Sequence, residues 1–434
     1  MSVDRDGGAP LISMAERHPR PDWVRRLNAM ADAVGGDARR IVPLDAAALL
    51  ADAEASLPAG RAGDLGDPGW RARFAALVAA VDASPMHVVG RLMTRQELLR
   101  ALRTRLLLAR EVDAHPAIAD ERVQAPIVVT GPARSGTTIL FELLALDPAL
   151  RAPLACEGLH PVPRRPPGEC GARAAWSECE QELWTDVQPE FAAMHELRSD
   201  LPVECVTLTQ PCFAGPHWAM IAQLDGWAMD VDVTYAFHRR LLQVLQHGAP
   251  RRTWLLKTPA HLVTMEALLA CYPDAWVVQT HRDPGRTMAS TASITALVQW
   301  MRTDDVPIAP LVQGIRTVFT YGLNHSVELR RDPTLGSRFV DVHFDRLLRE
   351  PVETVARAYA AMGRELTAAH AARVRAYLRD KPQGKFGTHR YEPEDWGFTA
   401  AEVRADLAPY IDHFDVALER EGRRPGVAQE ESAT

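Results

Sequence analysis

The chain has 434 residues, 47% hydrophobic and 24% charged, which is ample apolar material for a sizeable core. At about 150 residues per domain, this length fits roughly three domains, or one large α/β domain with additions. Its 49 basic and 56 acidic residues leave a net charge of −7 with no polybasic tract, arguing against a partner held through nucleic-acid phosphates. No apolar run approaches the roughly 18 residues of a membrane span. The opening Met1 to Gly8 carries charge and glycine where an export signal needs an apolar stretch. The six cysteines include no C-x-x-C pair. A Cys170–Cys179 bridge is conceivable, but without an export signal all six read as free thiols of a cytoplasmic protein.

Residues 1–22, rich in Gly, Pro and charge, are expected to be flexible. Residues 23–122 read as a helical extension: in Trp70 to Val81 apolar residues recur at spacings of three and four. Leu92 to Val112 is the longest such pattern, with arginines on its polar face, and is expected to pack as an amphipathic helix on the main domain. Residues 123–418 form that domain. Ile127-Val128-Val129 is a β-branched run suited to a strand buried on both faces. The pattern Ile139 to Leu146 is a helix that stops at Asp147-Pro148. Residues 151–235 read as an irregular insertion, where acceptor choice is expected. Trp254 to Lys257 is a second strand, Leu262 to Tyr272 a helix, and Ala275 to Thr280 a third strand. Asp283-Pro284 supplies N-cap and N1 chemistry for the next helix. Arg338 to His343 is a fourth strand, and residues 419–434 form a flexible tail. Strands alternating with helices predict a parallel sheet covered on both faces.

Gly131-Pro132-Ala133-Arg134-Ser135-Gly136-Thr137-Thr138 lies between a strand and a helix, where backbone N–H groups and a helix N-terminus converge on an anion. The spacing is close to G-x-x-x-x-G-K-[ST], but Thr137 stands where the lysine belongs and the cation falls at Arg134. Arg282, after the third predicted strand, is placed to grip a second anionic group, with Ser290 eight residues further on. Both turns fall at the carboxyl ends of parallel strands, the ligand-binding edge of such sheets.

These segments, together with Leu255 to Leu262 and Lys381 to Tyr391, resemble sulfotransferases that use 3′-phosphoadenosine 5′-phosphosulfate (PAPS), especially the large bacterial branch related to tyrosylprotein and carbohydrate sulfotransferases. The likeness covers about residues 125–392. It implies a P-loop-like α/β fold whose loop residues Arg134, Ser135, Gly136, Thr137 and Thr138 hold the phosphosulfate. It further implies that Arg282 and Ser290 bind the 3′-phosphate and that Lys385 closes over the nucleotide. Arg134 is then expected to stabilise the leaving oxygen, with Lys257 adding a second positive charge. Related enzymes place a basic glutamate shortly after the loop, which selects Glu157; His261 is the second candidate, and His160, His195 and His217 follow. Phe344 stands where relatives often carry a tyrosine.

His195, His217, Trp218, Trp227 and Tyr235 are the expected lining of an apolar acceptor pocket. The implied reaction moves a sulfuryl group from PAPS to a hydroxyl, less readily an amine, of a small molecule, glycan or lipid. It releases adenosine 3′,5′-bisphosphate (PAP) and needs no metal. The competing readings are a P-loop kinase or NTPase, disfavoured by Thr137, and a PAP/PAPS-binding protein without activity. Use of sulfate as a leaving group in an elimination or cyclisation is a third.

Overall fold

The computed structural model describes residues 13–60, 62–162, 170–380 and 392–419. The helices that precede the sheet include the two longest of the extension, α1 (Trp70–Ala83) and α2 (Val88–Ala114). The sheet opens with β1 (Ile127–Thr130), followed by α3 (Thr137–Ala145) and the two-residue β2 (Leu150–Arg151). Then come α4 (Arg173–Val187), β3 (Thr253–Lys257), β4 (Trp276–His281), α5 (Pro284–Trp300), α6 (Ile308–Arg331) and β5 (Phe339–His343). The strands are ordered β2-β3-β1-β4-β5, and every pairing is parallel.

Alternation along β1 explains the two layers. Ile127 and Val129 join the core under α3, and Val128 joins the core on the opposite face. All three are fully buried, worth roughly 1.5–3 kcal/mol each, so the apolar run fixes the strand at the centre. Its neighbours β3 and β4 lie on opposite sides, so the connection leaving β1 runs over a topological switch point and opens a crevice there. The Asp283 side chain accepts the Gly285 N–H and caps α5, with Pro284 at the first helical position, as expected.

The helical extension and the sheet domain share one core: Phe74, Leu98 and Leu102 pack in the same cluster as Met288, Ala292 and Leu297 of α5. Several expectations change. The stretch before Trp23 is docked from Ser13 onward: Ser13 caps a short helix, Met14 is buried, and the Arg20 guanidinium lies 3.5 Å from the centre of the Trp300 ring. Arg91, Arg100 and Arg105 of α2 are buried rather than solvated, because backbone carbonyls and carboxylates of neighbouring segments receive them. Residues 151–235 contain the 15-residue α4. Its apolar period was masked because it turns Arg173, Ser177 and Gln181 inward. The 24-residue α6 was also not read from the sequence. Finally, Cys156 and Cys170 are joined in a disulfide, while Cys179, Cys205, Cys212 and Cys271 are free thiols. Folding brings together two cysteines that no sequence spacing marked, a pairing more usual in oxidising compartments.

Candidate active site

The loop between β1 and α3 bends through three left-handed residues, Gly131 (φ 140°), Arg134 (φ 67°) and Gly136 (φ 90°). A Cβ at Gly131 would stand 2.3 Å from the Thr280 hydroxyl, so glycine is required where the loop crosses β4. Arg134 has no such exemption, and its conformation costs on the order of 1–2 kcal/mol, strain of the kind that collects at ligand clamps. Its side chain is exposed. Ser135 is buried, and its hydroxyl donates to the Pro132 carbonyl at 2.6 Å, so it holds the loop together. Gly136 and Thr137 begin α3, whose N-terminus adds its partial positive charge to the crevice.

Arg282 follows β4 directly and donates from Nη1 to the Arg134 carbonyl at 2.7 Å, which fastens the second cationic turn to the first. Its guanidinium lies 4.1 Å from the centre of the Phe344 ring. The ring also packs against Gly136, where an added Cβ would reach it at 3.0 Å. Phe344 therefore positions loop and arginine together through its face, without a hydroxyl. The Arg282 Nε and Nη2 donate to both carboxylate oxygens of Glu419, at 2.5 and 3.0 Å. Ser290 is buried in the second turn of α5. Lys385 and the motif from Lys381 to Tyr391 lie outside the described residues.

Lys257, at the end of β3, is buried and points its ammonium at two partners: the Thr138 hydroxyl at 2.9 Å and the Glu204 carboxylate. The cation missing from position 137 is thus supplied by the neighbouring strand. Thr258 also donates to Glu204, at 3.2 Å. Burial by itself would raise the Glu204 pKa. The charges of Lys257 and His195 and the hydrogen bonds from Lys257 and Thr258 outweigh it, holding the carboxyl below its ordinary range.

Glu204 and His195 line a pocket of about 210 Å³ with mostly apolar walls, including Met93 of α2, Trp184 of α4, Phe191 and Val298 of α5. The pocket therefore meets the β1–α3 loop through the chain Glu204–Lys257–Thr138.

Of the residues expected from the sequence, Arg134 to Thr138, Lys257 and Arg282 come together at this edge. Glu157 does not. One carboxylate oxygen accepts from Arg151 at 2.8 Å and the other from the Leu154 N–H at 3.1 Å; Glu204 also has both oxygens engaged, but it lines the pocket and Glu157 does not. His261 is also diverted: its Nδ1 is 2.7 Å from the Tyr235 hydroxyl, and burial, with the nearby His238, pushes its pKa down to about 3. Trp218 fills core beside Phe213, and Tyr235 packs on His261, whereas His195 and His217 do line the pocket. Glu204 was missed. Its signal was indirect, since a lysine ending a buried strand needs a carboxylate partner.

Residues 126–368 match the sequence pattern of the sulfotransferase family, and the chain belongs to that family. It is 24% identical, over 65% of its length and 72% of theirs, to omega-hydroxy-beta-dihydromenaquinone-9 sulfotransferase Stf3 of Mycobacterium bovis and of Mycobacterium tuberculosis. Its structure is similar to that of sulfotransferase STF9 from Mycobacterium avium, with a TM-score of 0.76 and 27% identity over 87% of this chain and 98% of the other. Sulfotransferase STF1 from Mycobacterium tuberculosis gives 0.70 and 27%, over 83% and 98%. Among the described residues no helix is long and apolar enough to cross a membrane, and no cluster of His, Cys, Asp or Glu suits a metal ion.

Proposed function

We propose that the protein transfers a sulfuryl group from PAPS to the hydroxyl of a largely apolar, lipid-like acceptor and releases PAP. The observation that carries this reading is the junction of two surfaces. A cationic loop and Arg282 sit at the carboxyl edge of the sheet, and an apolar pocket opens beside them with the Glu204–Lys257 pair between. The glycine turns, the left-handed Arg134 and the α3 N-terminus fit a phosphosulfate, and Arg282 fits a second phosphate. Apolar walls favour a lipid or apolar small molecule over a glycan, and the relatives named for a menaquinone acceptor point the same way.

The donor brings an activated sulfuryl group with a phosphate as its leaving group. In the transfer, the bond between the acceptor oxygen and sulfur forms as the bond from sulfur to the bridging oxygen breaks, and that oxygen keeps the electron pair. Arg134 lies in the loop proposed to face the leaving group, where its always-charged guanidinium stabilises developing negative charge. Lys257 adds a second positive charge from the β3 side. Glu204 replaces Glu157 as the base: ionised at neutral pH, it accepts the acceptor's hydroxyl proton. A transition state with little bond formation to the acceptor suits a base of modest strength, by analogy with phosphoryl transfer.

Calorimetric titration with PAP and with ATP, on the wild type and on Arg282→Ala, tests the donor half. Tight PAP binding, weak ATP binding and loss in the variant are expected. Equal affinity for ATP would favour the kinase or NTPase reading. Sulfation of long-chain alcohols by PAPS then tests the transfer.

A further inference from the structure

Part of the pocket wall is a continuous chain of charged and polar side chains that the transfer itself does not use. The Arg302 Nη2 donates to Glu97 Oε1 at 2.7 Å, and His217 Nε2 lies 3.2 Å from Glu97 Oε2. Gln210 Nε2 is 3.0 Å from His217 Nδ1, and Arg100 Nη2 donates to Gln210 Oε1 at 2.6 Å. Arg100 Nε pairs in turn with Glu180 Oε2 at 2.7 Å. Glu97, Arg100, Glu180, Gln210 and His217 all line the pocket.

The chain is electrically balanced. Burial would raise the Glu97 pKa, but the Arg302 charge and the His217 contact bring it down to about 2. Burial lowers the His217 pKa against the pull of Glu97, which favours the neutral imidazole. Two guanidiniums then face two carboxylates. Burying such pairs costs several kcal/mol per ion before they attract one another, and apolar side chains of similar volume are often at least as stabilising. Stability alone is therefore a weak reason to line an apolar pocket this way. Recognition is a better one. The Gln210 amide nitrogen has a single partner among the described residues, leaving one N–H for a guest.

We propose that this chain recognises a second, neutral oxygen-bearing group of the acceptor, a carbonyl or hydroxyl distant from the hydroxyl that is sulfated. The inference rests on the apolar-acceptor reading above and narrows it: the acceptor is bifunctional, apolar along its length and polar at two places. A second anion would upset the charge balance, and a plain alkyl chain would leave the Gln210 N–H without a partner.

The test measures kcat/KM with PAPS for 1-octanol, 1-decanol and 1-dodecanol against the diols and ω-hydroxy methyl ketones of equal length. At one length the bifunctional compound should exceed the monoalcohol about tenfold, the worth of one good hydrogen bond. In Gln210→Leu that ratio should fall to about twofold while PAP affinity is retained. Equal rates at every length in the wild type, or an advantage that survives in Gln210→Leu, would overturn the proposal. If the variant does not fold, the wild-type length series decides. Calorimetric titration of the same compounds onto the PAP complex gives a readout without turnover. Selective binding of the bifunctional compounds with no sulfation would refute the transfer reading and sustain this one.

Discussion

The turn after β1, proposed here to hold the donor, is shaped largely by backbone, whereas the pocket beside it is built from side chains as far apart as Met93 and Val298. The first needs only a few adjacent residues: glycines at positive φ, a helix start and a cation. The second exists only after the extension, the insertion and α5 have packed together. On the proposed reading, donor binding is therefore encoded locally and acceptor binding globally. Where they join, at Lys257 and Glu204, one residue comes from each side. The variants below separate the two sides, starting with that junction.

Glu204→Gln should give the largest effect, a fall in kcat of about 10²–10⁴-fold with PAP affinity within a few-fold of wild type. Its companion, Glu157→Gln, breaks a buried pair with Arg151 and should cost about 3–5 kcal/mol in denaturant unfolding, while the folded fraction keeps its turnover. The opposite pattern would return the base to Glu157. The pH profile carries a further signature. Because the Glu204 pKa is held below its ordinary value, the group stays ionised below the pH at which an ordinary glutamate protonates, and activity should be lost as pH falls through that lowered value. Lys257→Met removes the main charge opposing burial, so the acid limb should move to higher pH.

Arg134→Ala tests the donor side alone. Removing a stabiliser of the leaving oxygen should cost about 10²–10³-fold in kcat. PAP, which lacks the transferred group, should bind nearly as before. Relief of the left-handed strain by glycine sharpens this: Arg134→Gly should lose activity similarly yet unfold no more easily than Arg134→Ala. Equal losses of transfer and PAP affinity in both variants would show that Arg134 holds the nucleotide rather than the reacting oxygen.

What could be read in the sequence follows the same division. Ile127-Val-Val, the glycine turn, Asp283-Pro284 and Arg282 were legible because their neighbours in sequence are also their neighbours in space. Glu157 is favoured in the sequence for the converse reason: closeness in sequence to the loop suggests closeness to the chemistry, while in the structure Arg151, six residues earlier, pairs with its carboxylate. Nothing in Leu201-Pro-Val-Glu204-Cys marks the residue proposed as the base, and Arg100 on α2 reads as solvated in the sequence, where Gln210 and Glu180 are far from it. The disulfide belongs with these, since Cys156 and Cys170 meet only through the insertion's fold.

Arg282→Ala should weaken PAP binding about 30-fold or more, because it removes one partner of a bidentate charge contact. The smallest expected effect is the most pointed. Glu419 presents its carboxylate to the Arg282 Nε and Nη2, the fork a phosphate would occupy, and its N–H is held by Asp283 at 2.9 Å. Arg404 steadies the same strand of chain, donating to the Glu419 carbonyl at 2.9 Å. An anion arriving at Arg282 must therefore displace a carboxylate. For a partly exposed pair such competition is worth about 1 kcal/mol at most, so Glu419→Gln should tighten PAP binding about two- to fivefold. Screening by salt weakens the competing pair and the nucleotide contact alike, so the gain should shrink as ionic strength rises. In Arg282→Ala the Glu419 substitution should have no effect on PAP affinity. A gain that persisted there would mean that Glu419 acts by its negative charge on the whole cationic edge rather than by holding this one guanidinium.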